Sequence, residues 1–210
     1  MSLNPFDLVY LLLVLTGIVI LIENRLERIL YLMALQGLLL IIPVFQVHSI
    51  GDLHAWTLVL MIIVFKTTLT PYVLHWSIKK SKMSVHTQPR FGFLATFFFF
   101  IIGLIASLFI VNGLGDLPEG IDRIGVIYVF LLIYLGLITF IARTHWIVLI
   151  CGFIMIENGT FLLTLILQKG LPFGIEFGAF IDALLVIVSS AALQIRGDSI
   201  KKMGDKSIWT

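Results

Sequence analysis

Seven runs of mostly apolar residues follow one another along this chain, at roughly 6–22, 29–47, 55–78, 91–112, 124–142, 146–168 and 173–195. A helix needs about 20 such residues to cross a hydrocarbon core about 30 Å thick. No water is available there for unpaired backbone groups, so each run must satisfy its own N–H and C=O groups as a helix. A β-barrel would instead alternate polar and apolar residues in segments of about ten. The sequence therefore predicts an all-α, polytopic membrane protein of about seven transmembrane helices. Its connections are short, so the helices should form one bundle without a soluble domain.

Composition agrees: 60% of the 210 residues are hydrophobic and 12% are charged, against about 45–50% and 25% in soluble domains. Cys151 is the one cysteine, which excludes a disulfide and a cysteine-rich metal or iron–sulfur site within the chain. Asp7, at the start of the first run, is the only charge near the N-terminus, so the basic segment of a cleaved signal peptide is missing and the first span is expected to be retained. Basic residues set a direction. Eleven of the 14 Lys and Arg residues fall after odd-numbered spans, including Arg25, Arg28, Arg143 and the tail from Arg196. Only Arg123 and Lys169 fall on the other side. The positive-inside rule then places the N-terminus outside and the C-terminus in the cytoplasm.

Two weaker patterns concern packing. The run Phe97–Phe100 is expected to face lipid or a neighbouring helix. Gly103, Gly136, Gly152 and Gly178 are expected to let helices approach closely. The second and sixth spans also look alike. YLMALQGLLLII and GFIMIENGTFLLTLI align Gln36 with Glu157 and bring Gly37 near Gly159. This suggests a parallel repeat of two three-helix units, residues 1–90 and 124–210, joined by a helix and outer loop over 91–123.

Three ionisable residues lie near the middle of apolar runs: Lys66, Glu157 and Asp182. A charge at the bilayer centre costs about 2.5–3.5 kcal/mol. Three unpaired charges would cost about 7–11 kcal/mol, comparable to the stability of a whole domain. Such groups persist where they pair, change protonation or face water, and they are the candidates for moving protons. Glu157, Thr160, Thr164 and Gln168 share one helical face and could hold a file of water. The alternative is that the threonines bond back to their own helix and Glu157 is a structural acid. Asp182 continues toward Ser189. Lys66 stands just before Thr70 and Pro71, and Pro71 should leave the Thr67 carbonyl without its usual partner and kink the span. Lys66 is open to two readings, a hydrated break or a fixed ion pair with a carboxylate. Gln36 and Asn158 can hydrogen-bond and position water. His75, near the cytoplasmic end of its span, is a candidate for proton access. His48, His54, His86 and His145 read as solvated edge or loop residues. No metalloprotease, P-loop, dinucleotide or nucleophile–base motif is present, and nucleic-acid binding is not expected.

The stretch GFIMIENGTFLLTLILQKGLPFGIEFGAFIDALLVIVSSAAL resembles the C-terminal part of the hydrogenase-4 component E family. It has an ENG-type glutamate (Glu157), an E-x-G segment (Glu176–Gly178) and a central D-A pair (Asp182–Ala183). FKTTLTPYVL is similar to that family's lysine-and-proline span. The C-terminal region is in turn similar to the three-helix NuoK/MrpC subunits of respiratory complex I and of sodium/proton antiporters. The resemblance implies a NuoK/MrpC-like unit in which Glu157 and Asp182 serve proton translocation. It also implies a prokaryotic cytoplasmic membrane and a non-redox subunit of an energy-converting hydrogenase or related oxidoreductase. Antiporter-like and other membrane subunits would be its partners, with a hydrophilic redox arm. Iron–sulfur clusters and a NiFe or other redox centre would belong to those partners, leaving no cofactor in this chain. Two other classes stay open: a structural scaffold subunit and a self-contained ion transporter.

Overall fold

The structure, a computed structural model, describes residues 5–81, 87, 92–115, 117 and 121–168. Among these there is no strand. The helices are α1 (Pro5–Ile22), α2 (Leu26–Leu39), α3 (Ile41–Val47), α4 (Leu53–Met61), a π-helical segment (Ile62–Leu69), α5 (Thr70–Ser81), α6 (Phe93–Gly113), α7 (Arg123–Ala142) and α8 (Trp146–Gln168). Among the described residues five helical stretches are long and apolar enough to cross a membrane: Leu26–Val47, Leu53–Lys79, Leu94–Gly113, Arg123–Ala142 and Trp146–Leu167. The first run forms α1, apolar but only 18 residues long, about 27 Å by helical rise. The expected seventh span lies outside the described residues.

Two of the crossing stretches are broken, and a proline lies behind each break. The run at 29–47 is read from sequence as one helix, but α2 stops at Leu39 and α3 restarts at Ile41. Pro43 has no N–H to offer the Leu39 carbonyl four residues earlier. The predicted disturbance before Pro71 is also present, in a form the sequence does not specify. The chain widens into eight residues of π-helix, in which the Thr70 N–H donates five residues back, to the Phe65 carbonyl.

The helices pack as a bundle. α7 and α8 form the tightest pair, α1 and α6 both lie against α7, and α2 touches α1, the π segment and α8. The core runs between them through Leu13, Ile20, Ile29, Leu58, Leu132 and Cys151. Small residues set the closest approach at Gly103, Gly136 and Gly152, as expected, while Gly178 lies outside the described residues. A methyl group at Gly136 would stand 2.7 Å from Ile156 N and 2.8 Å from Gly152 O, and one at Gly152 would stand 2.7 Å from Phe140 N. Gly103 likewise receives the Tyr134 ring. Phe97 and Phe98 point outward, while Phe99 and Phe100 pack on the core.

Polar contacts tie the bundle at both ends. At one end Arg143 is fully buried. Its guanidinium donates to the Leu21 carbonyl, to Glu23 O at 2.9 Å and to Asn24 Oδ1 at 3.0 Å. A cation at the C-terminal carbonyls of α1 opposes the negative end of the helix dipole. Arg143 is therefore an internal clamp between the α1–α2 and α7–α8 turns, not the solvated loop charge that topology counting takes it for. Asn24 O also accepts from Thr87 N at 2.9 Å. Beside this clamp His145 is half-buried, with Nδ1 buried and unbonded among the described residues; burial holds its pKa below the usual histidine value.

At the other end Tyr10 donates from α1 to Gln46 Oε1 on α3 at 2.6 Å. His48 Nδ1 lies 3.2 Å from Asp52 Oδ2, with its side chain 12% exposed. The reading of His48 and His145 as solvated is thus corrected: tertiary packing covers both. Asp52 and Asp122 cap α4 and α7 by accepting backbone N–H groups.

The glycine crossing makes a direct prediction. Gly136→Val should destabilise the protein by at least the cost of overpacking, about 1–3 kcal/mol. Gly113→Ala, where nothing lies within 4 Å, should change little. Thermal unfolding of both variants in detergent checks this, and a Gly136→Val midpoint equal to that of the parent would refute it.

Candidate functional site

Three crossing stretches each place a polar residue at their middle. Lys66 has 13 residues of Leu53–Lys79 on either side. Glu157 has 11 residues of α8 on either side, and Gln36 is at the middle of Leu26–Val47. The three helices bring these residues together at one level.

Lys66 Nζ donates to Glu157 Oε1 at 2.5 Å and to Asn158 Oδ1 at 2.7 Å. Asn158 Nδ2 donates to Gln36 Oε1 at 3.1 Å, and Gln36 Nε2 donates to the Leu13 carbonyl of α1 at 3.3 Å. The Phe161 ring lies 5.9 Å from the ammonium, within the range of a cation–π contact. The chain of bonds thus runs from an ion pair through two amides to the backbone of α1. Lys66 is 6% exposed, Asn158 1% and Gln36 0%, while the Glu157 side chain is 14% exposed.

Local structure explains why these groups meet. In the π segment the extra residue per hydrogen-bonded turn shifts side-chain register, and such segments recur at functional sites. Here the shift carries Lys66 to the face shared with α2 and α8. Gly37 makes room: a methyl there would stand 2.8 Å from Thr67 Oγ1 and 3.2 Å from Lys66 C. A Cβ there would press on the Thr67 hydroxyl and on the backbone at 3.2 Å, so glycine favours this close approach of α2 to the π segment. On α8, Glu157 and Asn158 are adjacent and so point about 100° apart. One ammonium therefore bridges both.

The pairing resolves one ambiguity of the sequence reading: Lys66 pairs within the chain, with Glu157. Within the cluster, Glu157 Oε2 and Thr67 Oγ1 are buried and have no hydrogen bond among the described residues. A buried carboxylate oxygen without a donor is uncommon and energetically costly. It is also an open position for a proton or a water molecule. The cluster can hold charge at mid-depth, and one proton at Glu157 Oε2 would convert the ion pair into an ammonium beside a neutral acid.

Other sequence candidates are placed elsewhere. Thr160 is exposed and its hydroxyl bonds back to the Glu157 carbonyl at 2.9 Å. That is the local arrangement foreseen as the alternative to a water file. Thr164 is half-buried two turns beyond Glu157. Thr70 is buried one turn after Lys66, and His75 is half-buried farther along α5. Asp182 and Ser189 lie outside the described residues. Sequence reasoning did not single out Gly37, Phe161 or the Leu13 carbonyl as parts of the site. Gly37 carries a usable signal, since it sits beside a central glutamine and aligns near Gly159. The Leu13 carbonyl carries none.

A double-mutant comparison tests the pair. Lys66→Met alone strands a buried carboxylate and should destabilise by about 3–5 kcal/mol, whereas Lys66→Met with Glu157→Leu should recover most of that loss. Additive losses in thermal unfolding would show that the two side chains do not interact. No family model, curated protein or solved structure matches the chain.

Proposed function

We propose that this chain is a membrane-arm subunit of a complex-I-like, energy-converting hydrogenase or related oxidoreductase, coupling redox chemistry in partner subunits to movement of protons, or of sodium. The observation that carries the reading is the Lys66–Glu157 ion pair at the middle of two membrane-length helices, with one Glu157 oxygen unbonded among the described residues. The resemblance of the ENG segment and of the lysine-and-proline span to hydrogenase-4 component E supplies the assembly. In this reading the chain has no redox chemistry of its own. It sits in the cytoplasmic membrane of a prokaryote, N-terminus outside, beside antiporter-like subunits and a hydrophilic arm that holds the metal centres.

The chemistry follows from charge balance. A change of charge in a neighbouring subunit alters the potential at the cluster and so the proton affinity of Glu157. When Glu157 takes a proton at Oε2, the Lys66 ammonium loses its counter-charge and keeps the Asn158 carbonyl as acceptor. Return of the neighbouring charge favours proton release, to the opposite side if access has switched meanwhile. Asp182 is assigned the second carboxylate step from sequence alone. Gln36 cannot titrate, so it holds Asn158 in place and stores no proton.

The direct 2.5 Å contact also suits a second reading, an inert cross-brace within a scaffold subunit. One variant separates the two. Glu157→Gln keeps the size and a hydrogen-bonding oxygen, so the complex should assemble and its redox partners should turn over, while ion translocation in proteoliposomes is lost. An assembled Glu157→Gln complex that pumps normally would favour the brace. Translocation by the purified chain alone would favour a self-contained transporter.

A further inference from the structure

Between α1 and α2, on the outer surface of the bundle and away from the Lys66 cluster, lies a recess of about 320 Å³ lined by Val19, Glu23, Arg28, Tyr31, Leu32 and Leu35. Its residues follow helical spacing. Arg28, Tyr31, Leu32 and Leu35 stand at i, i+3, i+4 and i+7 along one face of α2, and Val19 and Glu23 stand four apart at the end of α1. The recess therefore has a polar end and an apolar end. Glu23 and Arg28 occupy the turn between the helices. Val19 and Leu35 lie deeper, toward the level of Gln36; Leu35 is about 10 Å along the helix axis from Arg28. Tyr31, 75% exposed, stands between them at the depth where aromatic residues line bilayer interfaces.

The polar end carries both signs of charge. Arg28 Nη1 lies 3.4 Å from Glu23 Oε2, and the Arg28 side chain is 60% exposed. Glu23 Oε1 is already occupied by the N–H groups of Asn24 and Arg25, at 2.9 and 3.0 Å. Burial would raise the Glu23 pKa, but those two backbone donors and Arg28 outweigh it and hold the carboxyl below its ordinary value. Glu23 thus holds Oε2 beside the exposed Arg28 guanidinium, which donates to it at 3.4 Å. A partner helix passing here would have to cover both charges. An anionic lipid would satisfy Arg28 and meet Glu23 as repulsion. A headgroup with a phosphate and a primary ammonium satisfies both.

We infer that this recess is a binding site for an aminophospholipid of the phosphatidylethanolamine type. Its phosphate sits on Arg28, its ammonium donates to Glu23 Oε2, and one acyl chain lies along Val19, Leu32 and Leu35. The site rests on the proposal that the chain is embedded in a bilayer, and not on any role for Glu157. A quaternary choline headgroup has no N–H to donate, so the site discriminates by hydrogen bonding as well as by charge.

The test uses the full chain in detergent micelles containing equal amounts of dioleoyl phosphatidylethanolamine, phosphatidylcholine and phosphatidylglycerol, with retained lipid measured by native mass spectrometry. Phosphatidylethanolamine should be retained about tenfold over phosphatidylcholine, the ratio that one charge-assisted hydrogen bond supports. Val19→Trp, which fills the recess from a lipid-facing position, should abolish that preference, and Arg28→Ala should weaken it. Equal retention of the choline lipid, preference for phosphatidylglycerol, or undiminished selectivity in Val19→Trp would each overturn the site. Release of the chain from native membranes by alkaline carbonate would remove the bilayer reading itself, and the site with it.

Discussion

A lysine and a glutamate meet at the middle of two helices long and apolar enough to cross a membrane, and the rest of the bundle is arranged so that they can. Neither side chain could stay charged there alone. Their contact needs three things of the fold: a π-helical segment that turns Lys66 toward α8, a glycine at position 37 that admits this wider segment, and α8 held in register by its glycine crossing with α7. The two amides extend the arrangement. Asn158 and Gln36 carry the hydrogen bonds from the ion pair to the backbone of α1, so four helical segments share one connected polar layer inside a mostly apolar core.

This design separates rigid from adjustable parts. Arg143, fully buried among the carbonyls of the α1–α2 turn, fixes one end of the bundle. Tyr10 and Gln46 join α1 to α3 at the other. Between these ties the π segment is the least economical element, since π-helices are rare and occur mostly as single turns. Rewinding it as α-helix would rotate Lys66 away from Glu157 and Asn158. The proposed proton chemistry therefore has a structural counterpart at hand, in which the charge state of Glu157 and the winding of 62–69 favour one another.

Much of this was legible from residue order, and the remainder was not for physical reasons. Long apolar runs fixed the helical class and the first six helical stretches to within a few residues, because backbone hydrogen bonding leaves no alternative in hydrocarbon. Central Lys66 and Glu157 stood out because their position is costly. Their partnership did not, since pairing is tertiary and Asp182 was an equal candidate from sequence. Pro71 signalled a break, but whether a helix kinks or widens depends on what packs against it, here Gly37. Pro43 was passed over because the run around it was long enough to cross unbroken. Arg143 looked like any basic loop residue, and only the fold shows the carbonyls around it. The Glu157–Thr160–Thr164 face was read correctly as a helical spacing, yet Thr160 is exposed and satisfies itself, while the site turns toward Asn158.

The central proposal is that Glu157 changes protonation while the proposed redox assembly turns over, and does not merely brace α8 against Lys66. Infrared difference spectra of the assembled complex, resting against turning over, test this most directly. The account predicts a protonated-carboxyl band that comes and goes with turnover and is missing in a Glu157→Gln complex. A carboxyl region that stays silent through turnover, or one unchanged by that substitution, would contradict it.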